Sequence, residues 1–174
     1  MSIKEVLDEK SVKAGLDRIV DGILEDHDLK NTVLIGILTR GATLSKRIGL
    51  EIAKKRGVEV RVGFLDTTPH RDDIKKEAIE DKSDIAFNIN DRDVILVDDV
   101  MSTGRTIRAA LDALIDYGRP KTVKTAVLID RDLRELPISV DYVGEKIPTS
   151  TSETIRVRLR EIDGGKDGAY IVSK

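Results

Sequence analysis

The segment 94–106 constrains the fold and the chemistry of this chain more than any other part of the sequence. It reads VILVDDVMSTGRT, an apolar run that ends in two adjacent carboxylates, Asp98 and Asp99, and continues into a small, hydroxyl-rich loop. Helical spacing follows, so the segment predicts a buried strand, a turn and a helix N-terminus. A helix N-terminus suits a phosphate, and paired carboxylates suit ribose hydroxyls or a hydrated Mg²⁺. The segment therefore favours a phosphorylated sugar as ligand.

Predicted strands and helices alternate along most of the chain. The predicted helices are 8–26, capped by Asp8; a helix from the 39–42 turn to about residue 56, ended by Gly57; and 107–114, stopped by Gly118 and Pro120. Buried strands are predicted over 33–38, 94–97 and 123–129, and an alternating strand over 58–64. Short strands are predicted near 141–143, 155–159 and 169–172. This order predicts a single α/β domain over 1–174, with a central, mostly parallel sheet flanked by helices.

Three loops follow predicted parallel strands and should meet at one edge of the sheet, where ligands of such sheets bind. They are 39–42, 98–106 and 130–137. The stretch 66–91 is polar, charge-rich and without clear periodicity. Compact domains rarely contain so long a connection without a purpose, so we expect it to be functional.

Composition excludes several classes of protein. A chain of 174 residues with 36% charged and 40% hydrophobic residues is typical of one globular domain. The net charge of −2 gives no overall attraction to nucleic acid, and the absence of cysteine excludes disulfide and thiolate chemistry. No apolar run is long enough for a membrane span, and the N-terminus lacks the apolar core of a signal peptide, so we expect no membrane association and a cytoplasmic location.

The segment 94–106 matches, along its whole length, the phosphoribosyl-pyrophosphate signature of type I phosphoribosyltransferases. Other motifs resemble the pyrimidine-operon attenuation regulators that are also uracil phosphoribosyltransferases, the PyrR-like family. They are GRTIRAA at 104–110, GRP at 118–120, DTT at 66–68 with RDD at 71–73, RELPI at 134–138, DYVG at 141–144 and IPTS at 147–150. The resemblance runs from about residue 7 to the C-terminus.

The resemblance implies a type I phosphoribosyltransferase fold with a flexible flap at about 66–91 and a small hood at about 130–160. The implied reaction converts uracil and phosphoribosyl pyrophosphate to UMP and pyrophosphate with Mg²⁺. Catalytic roles are implied for Asp98, Asp99, Arg71 and Asp72, metal contacts directly or through water for Asp98 and Asp99, and substrate contacts for Thr39, Arg40, Gly41, Met101, Ser102, Thr103, Gly104, Arg105, Thr106, Arg131 and Val143. Members of the family form dimers or larger assemblies, so we expect a homodimer or higher homo-oligomer.

The chain departs from the family pattern at several positions. Pro69 and His70 stand where the family has an aliphatic and an aromatic residue, and Asp132 with Leu133 replaces a Gly-His pair. At positions where the family is basic and binds messenger RNA, this chain has Asp17, Asp21, Ser139 and Glu145. Because carboxylates near phosphates reduce affinity, we expect weak or no binding of an mRNA leader, with Arg18, Arg134 and Lys146 as solvated surface.

Three other functions remain open at this point. A purine (hypoxanthine or guanine) phosphoribosyltransferase is suggested by the DYVG motif, but that branch has an acid at the position of Ser102 and a lysine at that of Asp130. An RNA-binding attenuator with little catalysis is disfavoured by the intact Asp98 and Asp99. A sugar-phosphate sensor without turnover would use the same phosphate loop.

Overall fold

A computed structural model describes residues 2–73 and 79–173. Its strands are β1 (Ser2–Leu7), β2 (Thr32–Ile37), β3 (Arg61–Leu65), β4 (Asp93–Met101), β5 (Thr122–Asp130), β6 (Tyr142–Lys146), β7 (Glu153–Arg158) and β8 (Gly168–Ser173). Its α-helices are α1 (Glu9–Asp26), α2 (Arg40–Arg56), α3 (Arg105–Leu114) and α4 (Arg160–Asp163), and short 3₁₀ turns lie at Thr68–His70 and Ile115–Tyr117.

Five parallel strands form the central sheet in the order β3-β2-β4-β5-β6. Helices α1 and α2 cover one face of this sheet, and α3 covers the other. Each face of the sheet has its own apolar core. The predicted fold class is therefore confirmed. Every residue of β2 is buried, as a strand covered on both faces should be.

The helix ends follow the local sequence. Asp8 caps α1, because its carboxylate accepts a hydrogen bond from the Ser11 N–H at 2.8 Å. Helix α2 ends at Gly57, which has a left-handed φ of 66° that glycine adopts without strain. Both boundaries were predicted from the sequence and are confirmed.

The structure differs from the sequence predictions in three places. Strand β1 was not predicted. It forms a second, antiparallel sheet with β8 and β7, in the order β1-β8-β7. Strand β3 begins at Arg61 instead of residue 58. Strand β4 extends through both predicted site carboxylates to Met101, because its pairing with β5 continues past the apolar run.

The polar stretch 66–91 is not polar throughout its length. Within the described part, Asp84 pairs with Phe64 at the edge of the sheet, and Ile89 is fully buried against the core on the α3 face. Ile85 and Phe87 pack against the same core. Part of this stretch therefore belongs to the core, while residues 74–78 lie outside the described residues. None of the helices in the described ranges has the length and apolarity needed to cross a membrane.

Candidate active site

The two carboxylates at the end of β4 lie in different environments. Asp98 is buried and accepts a hydrogen bond from the Asp99 N–H at 2.9 Å, whereas Asp99 is half-buried and accepts one from the Val100 N–H at 2.9 Å. Burial raises the pKa of Asp98 well above its usual range, and the negative charge of Asp99 raises it further. The pair therefore favours a nearby cation or hydroxyl donors. Met101, the last residue of the strand, is buried.

The loop after β4 has the backbone of a phosphate site. Gly104 adopts a left-handed φ of 95°, and α3 begins at the next residue without a side-chain cap. The Thr103 hydroxyl accepts a hydrogen bond from the Arg105 N–H at 3.3 Å. The first-turn N–H groups of α3, with the positive end of its dipole, are thus directed at any anion held by the loop.

The carbonyl groups of this loop are bonded on its other side. The Arg134 Nη1 donates to the carbonyl oxygen of Ser102 at 2.9 Å, and the N–H groups of Glu135 and Leu136 donate to that of Thr103 at 3.0 and 3.2 Å. Because residues 134–136 bind these carbonyl oxygens on one side of the loop, the N–H groups of the loop are left to bind an anion on the other side. The prediction that Arg134 lies on solvated surface is wrong.

Arg134 also binds the carboxylate at the end of β5. Its Nη1 and Nη2 lie 2.8 and 2.7 Å from the two oxygens of Asp130, and Asp130 accepts a further bond from the Asp132 N–H at 3.0 Å. Burial alone would raise the pKa of Asp130, but these hydrogen bonds outweigh it and hold the pKa below its usual value. Asp130 is therefore a charged, fully engaged group.

The turn at 39–42 lies directly against the end of β4. A Cβ atom at Gly41 would overlap the carbonyl oxygen of Val97 and lie 3.1 Å from the Cα of Asp98. Only glycine allows this approach, which places the first turn of α2 beside the carboxylate pair. The peptide bond between Leu38 and Thr39 is cis. The predicted pyrophosphate loop and the predicted ribose site thus meet.

The Arg40 side chain extends toward the second sheet. Its Nε donates to the carbonyl oxygen of Val157 at 2.8 Å, and its Nη2 lies 2.8 Å from a carboxylate oxygen of Asp163. Arg40 therefore links the predicted pyrophosphate loop to β7 and α4.

The described start of the predicted flap reaches the phosphate loop. The Arg105 Nη1 lies 2.7 Å from a carboxylate oxygen of Asp72. The Arg71 guanidinium pairs with Asp73, and its Nη1 lies 3.4 Å from the Thr106 hydroxyl oxygen. Both predicted flap residues are thus brought to the N-terminus of α3.

Of the predicted base-binding residues, Arg131 directly follows β5 and Val143 lies near the start of β6. The Arg131 guanidinium is buried and donates to the Thr149 hydroxyl oxygen at 2.7 Å and to the carbonyl oxygens of Ser150 and Glu153 at 3.2 and 2.6 Å. Burial lowers the pKa of Arg131. Its side chain is therefore engaged with the 149–153 segment, while half-buried Val143 lies in β6 beside β5.

A cleft of about 710 Å³ opens from the carboxylate pair toward the second sheet. Asp99 and Arg40 line it on the side of the site, and Arg156, Arg158 and Tyr170 line it on the side of the second sheet. It is large enough for a small ligand.

Comparison with known proteins identifies the family. The sequence matches the phosphoribosyl transferase domain over residues 2–161. It is 52% identical over 173 residues to the bifunctional protein PyrR of Streptococcus suis (strain 05ZYH33), covering 99% of this chain and 98% of that protein. This chain is a type I phosphoribosyltransferase of the PyrR family. Another relative in the same family, the pyrimidine operon regulatory protein of Lactococcus lactis subsp. lactis (strain IL1403), is 50% identical over 165 residues, or 94% of each chain.

Solved structures agree on the fold of this PyrR-family chain. The hypoxanthine-guanine phosphoribosyltransferase of Bacillus anthracis str. 'Ames Ancestor' superimposes with a TM-score of 0.71 over 98% of this chain and 100% of that one. Their sequence identity is 21%, so this similarity establishes the shared fold alone.

The donor set of the PyrR-family site fits a Mg²⁺ ion that keeps other ligands. Asp98 and Asp99 supply carboxylate oxygens, which Mg²⁺ prefers. In ranges 2–73 and 79–173, no group of three or more His, Cys, Asp or Glu side chains is placed to hold a metal. Two carboxylates without a third suit an ion that is completed by water and by substrate oxygens.

Sequence reasoning missed three residues of this region. Arg134 follows Asp130 by four positions directly after a buried strand, a spacing that could have suggested the ion pair. Arg156 and Arg158 alternate with the buried Ile155 and Val157 on β7, so the period of two could have placed both arginines on one face.

Proposed function

We propose that this chain transfers a phosphoribosyl group from phosphoribosyl pyrophosphate to uracil, releasing UMP and pyrophosphate. The observation that carries the proposal is the convergence, at the end of β4, of the carboxylate pair, the donor-rich loop with Gly104, and the 39–42 turn. A sugar that carries a phosphate at one end and a pyrophosphate at the other fits such a three-part site. The names of the full-length relatives, bifunctional protein PyrR and pyrimidine operon regulatory protein, support a role in pyrimidine metabolism.

The chemistry requires that pyrophosphate leave the anomeric carbon while the base attacks it. The N–H donors of 102–106 would fix the 5′-phosphate, and the half-buried Asp99 with Asp98 would accept hydrogen bonds from the ribose hydroxyls. The same two negative charges would stabilise the positive charge that develops on the ribose ring. Bound Mg²⁺ would neutralise charge on the departing pyrophosphate.

The flap would complete the site. Arg71 and Asp72 already lie at the N-terminus of α3. A closed flap excludes water, which otherwise competes with the base for the anomeric carbon. We assign to Arg71 a contact with the phosphoribosyl pyrophosphate anion. We assign to Asp72 the role of holding the Arg105 side chain in place.

Uracil is preferred over a purine because of the charge at the end of β5. Asp130 stands where the hypoxanthine branch has a lysine, and its carboxylate is held by Arg134. The position therefore offers no ammonium donor to the exocyclic oxygen of a purine. Backbone groups around Val143 would instead read the edge of the smaller uracil ring.

The experiment is an assay of pyrophosphate release with uracil, hypoxanthine, guanine and orotate as competing bases. Uracil is expected to be the preferred acceptor, and the Asp98→Asn, Asp99→Asn double variant is expected to lose most of the activity. The matched control is Glu59→Gln, which removes an exposed carboxylate between α2 and β3. Undiminished nucleotide synthesis by the double variant would overturn the proposal. If a purine is preferred as acceptor, the chain is a purine phosphoribosyltransferase instead.

We also infer that RNA binding is weak in this member of the family. Arg18 is paired with Glu145 at 2.6 Å, so its charge is neutralised on the face that would meet RNA. Asp17 and Asp21, on the same helix, pair with Lys13 and Lys55 at 3.1 and 2.7 Å, so these two lysines are engaged as well. A gel shift with the leader RNA of the chain's own pyrimidine operon tests this inference, because tight nucleotide-dependent binding contradicts it. The expected homodimer or larger assembly stays a prediction.

A further inference from the structure

We propose that Arg156 and Arg158 form a second wall of the pyrophosphate subsite and bind the diphosphate of the substrate and product. This inference rests on the proposed function and deepens it, since it names residues outside the segments that carry the family's motifs. It concerns an anion that bears two phosphoryl groups, bound as its Mg²⁺ complex.

The first argument is position. The cleft that contains Arg156 and Arg158 meets the candidate site at two residues, Arg40 of the 39–42 turn and Asp99 of the carboxylate pair. The loop 102–106, which we assign to the 5′-phosphate, does not line this cleft. A sugar held by Asp99 with its 5′-phosphate in that loop would therefore direct its other end, the diphosphate, into the cleft.

The second argument is availability. Both arginines are exposed, and within 2–73 and 79–173 neither guanidinium has a carboxylate partner. Arg40 differs, because it is held by the Val157 carbonyl and by Asp163. The two β7 arginines thus keep their hydrogen-bond donors for a ligand, and guanidinium groups match phosphate oxygens in pairs.

The third argument is charge. The cleft is lined by three arginines against two aspartates, Asp99 and Asp163, so it is positive in a chain whose net charge is −2. Strand geometry places Arg156 and Arg158 side by side on one face, about 7 Å apart along the strand. Two neighbouring cations suit a ligand with two adjacent anionic groups better than one with a single phosphate.

The experiment compares Arg156→Gln, Arg158→Gln and the double variant with Arg56→Gln, which removes an exposed charge at the end of α2. Each protein is titrated calorimetrically with pyrophosphate and Mg²⁺, without uracil, and KM is measured for each substrate. We expect pyrophosphate affinity to fall, and KM for phosphoribosyl pyrophosphate to rise, about tenfold in each single variant. KM for uracil should stay unchanged, Arg158→Lys should recover part of the loss, and Arg56→Gln should behave as wild type.

Three outcomes would overturn the inference. In the first, the double variant binds pyrophosphate as tightly as wild type while wild type converts uracil to UMP. The two arginines then do not bind the diphosphate, and the proposed function stays intact. KM could rise equally for both substrates, which indicates a general disturbance of the site. The double variant could change its oligomeric state or RNA affinity with unchanged pyrophosphate binding, which assigns the cleft to a macromolecular contact. If wild type makes no nucleotide from any base, the proposed function itself fails.

Discussion

Arg134 holds both carboxylate oxygens of Asp130, at 2.8 and 2.7 Å, and so joins the end of β5 to the phosphate loop after β4. The link to that loop is the bond from the same Nη1 to the Ser102 carbonyl at 2.9 Å. One side chain thus orders two loops that we assign to different parts of the substrate. The pair is largely buried, with 22% and 9% of the side-chain surfaces exposed, so solvent screens it little.

Replacing Arg134 should therefore weaken phosphate binding more than base binding. In Arg134→Gln the Ser102 carbonyl loses its donor, the loop loses its fixed geometry, and we expect KM for phosphoribosyl pyrophosphate to rise about tenfold. Asp130 would be left without its cation, and stability should fall by roughly 2 kcal/mol. Arg134→Lys and Asp130→Asn are the matched variants in steady-state kinetics and urea unfolding. An unchanged KM for this substrate, with stability reduced, would mean that Arg134 only supports the fold.

Glu135 should oppose anion binding at the phosphate loop. Its carboxylate lies 3.1 Å from the Arg105 Nε, and Asp72 holds the same guanidinium, so two carboxylates compete with an incoming phosphate. We expect Glu135→Gln to tighten binding of inorganic phosphate about twofold to fivefold, an effect that shrinks as salt is added. Stability should change little, because the pair is exposed. Glu59→Gln, which removes a distant exposed carboxylate, is the control for net charge, and weaker phosphate binding by Glu135→Gln would refute the competition.

Gly41→Ala should damage the site through the backbone. The added methyl group overlaps the Val97 carbonyl, so the first turn of α2 must move away from the carboxylate pair. We expect kcat/KM to fall about 100-fold, with roughly 1–3 kcal/mol of lost stability. Gly57→Ala is the control, because its φ of 66° is strained for alanine but no atom lies within 4 Å of the added carbon. It should cost roughly 1–2 kcal/mol and leave kcat/KM unchanged.

The parts of the fold that local sequence determines were predictable. Asp8, Gly57 and the apolar runs of β2, β4 and β5 define element ends and burial through contacts near in sequence. Strand β1 was not, because it becomes a strand only by pairing with β8 at the other end of the chain, whereas short strands near β7 and β8 were predicted. The same limit applies to the site.

Motif residues of the site were found because the strand, loop and helix are contiguous in sequence. Arg134 was misplaced, because its partner Ser102 meets it only after β4 and β5 pair. The prediction of surface exposure relied on polarity, and polarity does not distinguish a solvated arginine from one that bonds two loops. Arg156 and Arg158 were overlooked for a related reason, since the cleft that gives them a context lies between two sheets.

Stability should depend on pH through the bridge between α2 and the loop before β8. The Arg47 guanidinium binds Asp167 at 2.6 Å, with 17% and 6% of the side chains exposed, and its hydrogen bonds hold the pKa of Asp167 below the usual value. A carboxylate with a depressed pKa stabilises the fold above the pKa of the unfolded chain, about 3.9, and the benefit is lost as pH falls through the folded pKa. Arg47→Gln should therefore be roughly 3 kcal/mol less stable than wild type at pH 7. This difference in stability should narrow as the pH is lowered below the pKa of the unfolded chain. Urea unfolding across pH measures the gap, and Lys13→Gln, which breaks an exposed pair with Asp17, is the control. A gap that is independent of pH would show that Arg47 acts by packing alone and not through the charges of Asp167 and Glu161, the second carboxylate that binds its guanidinium.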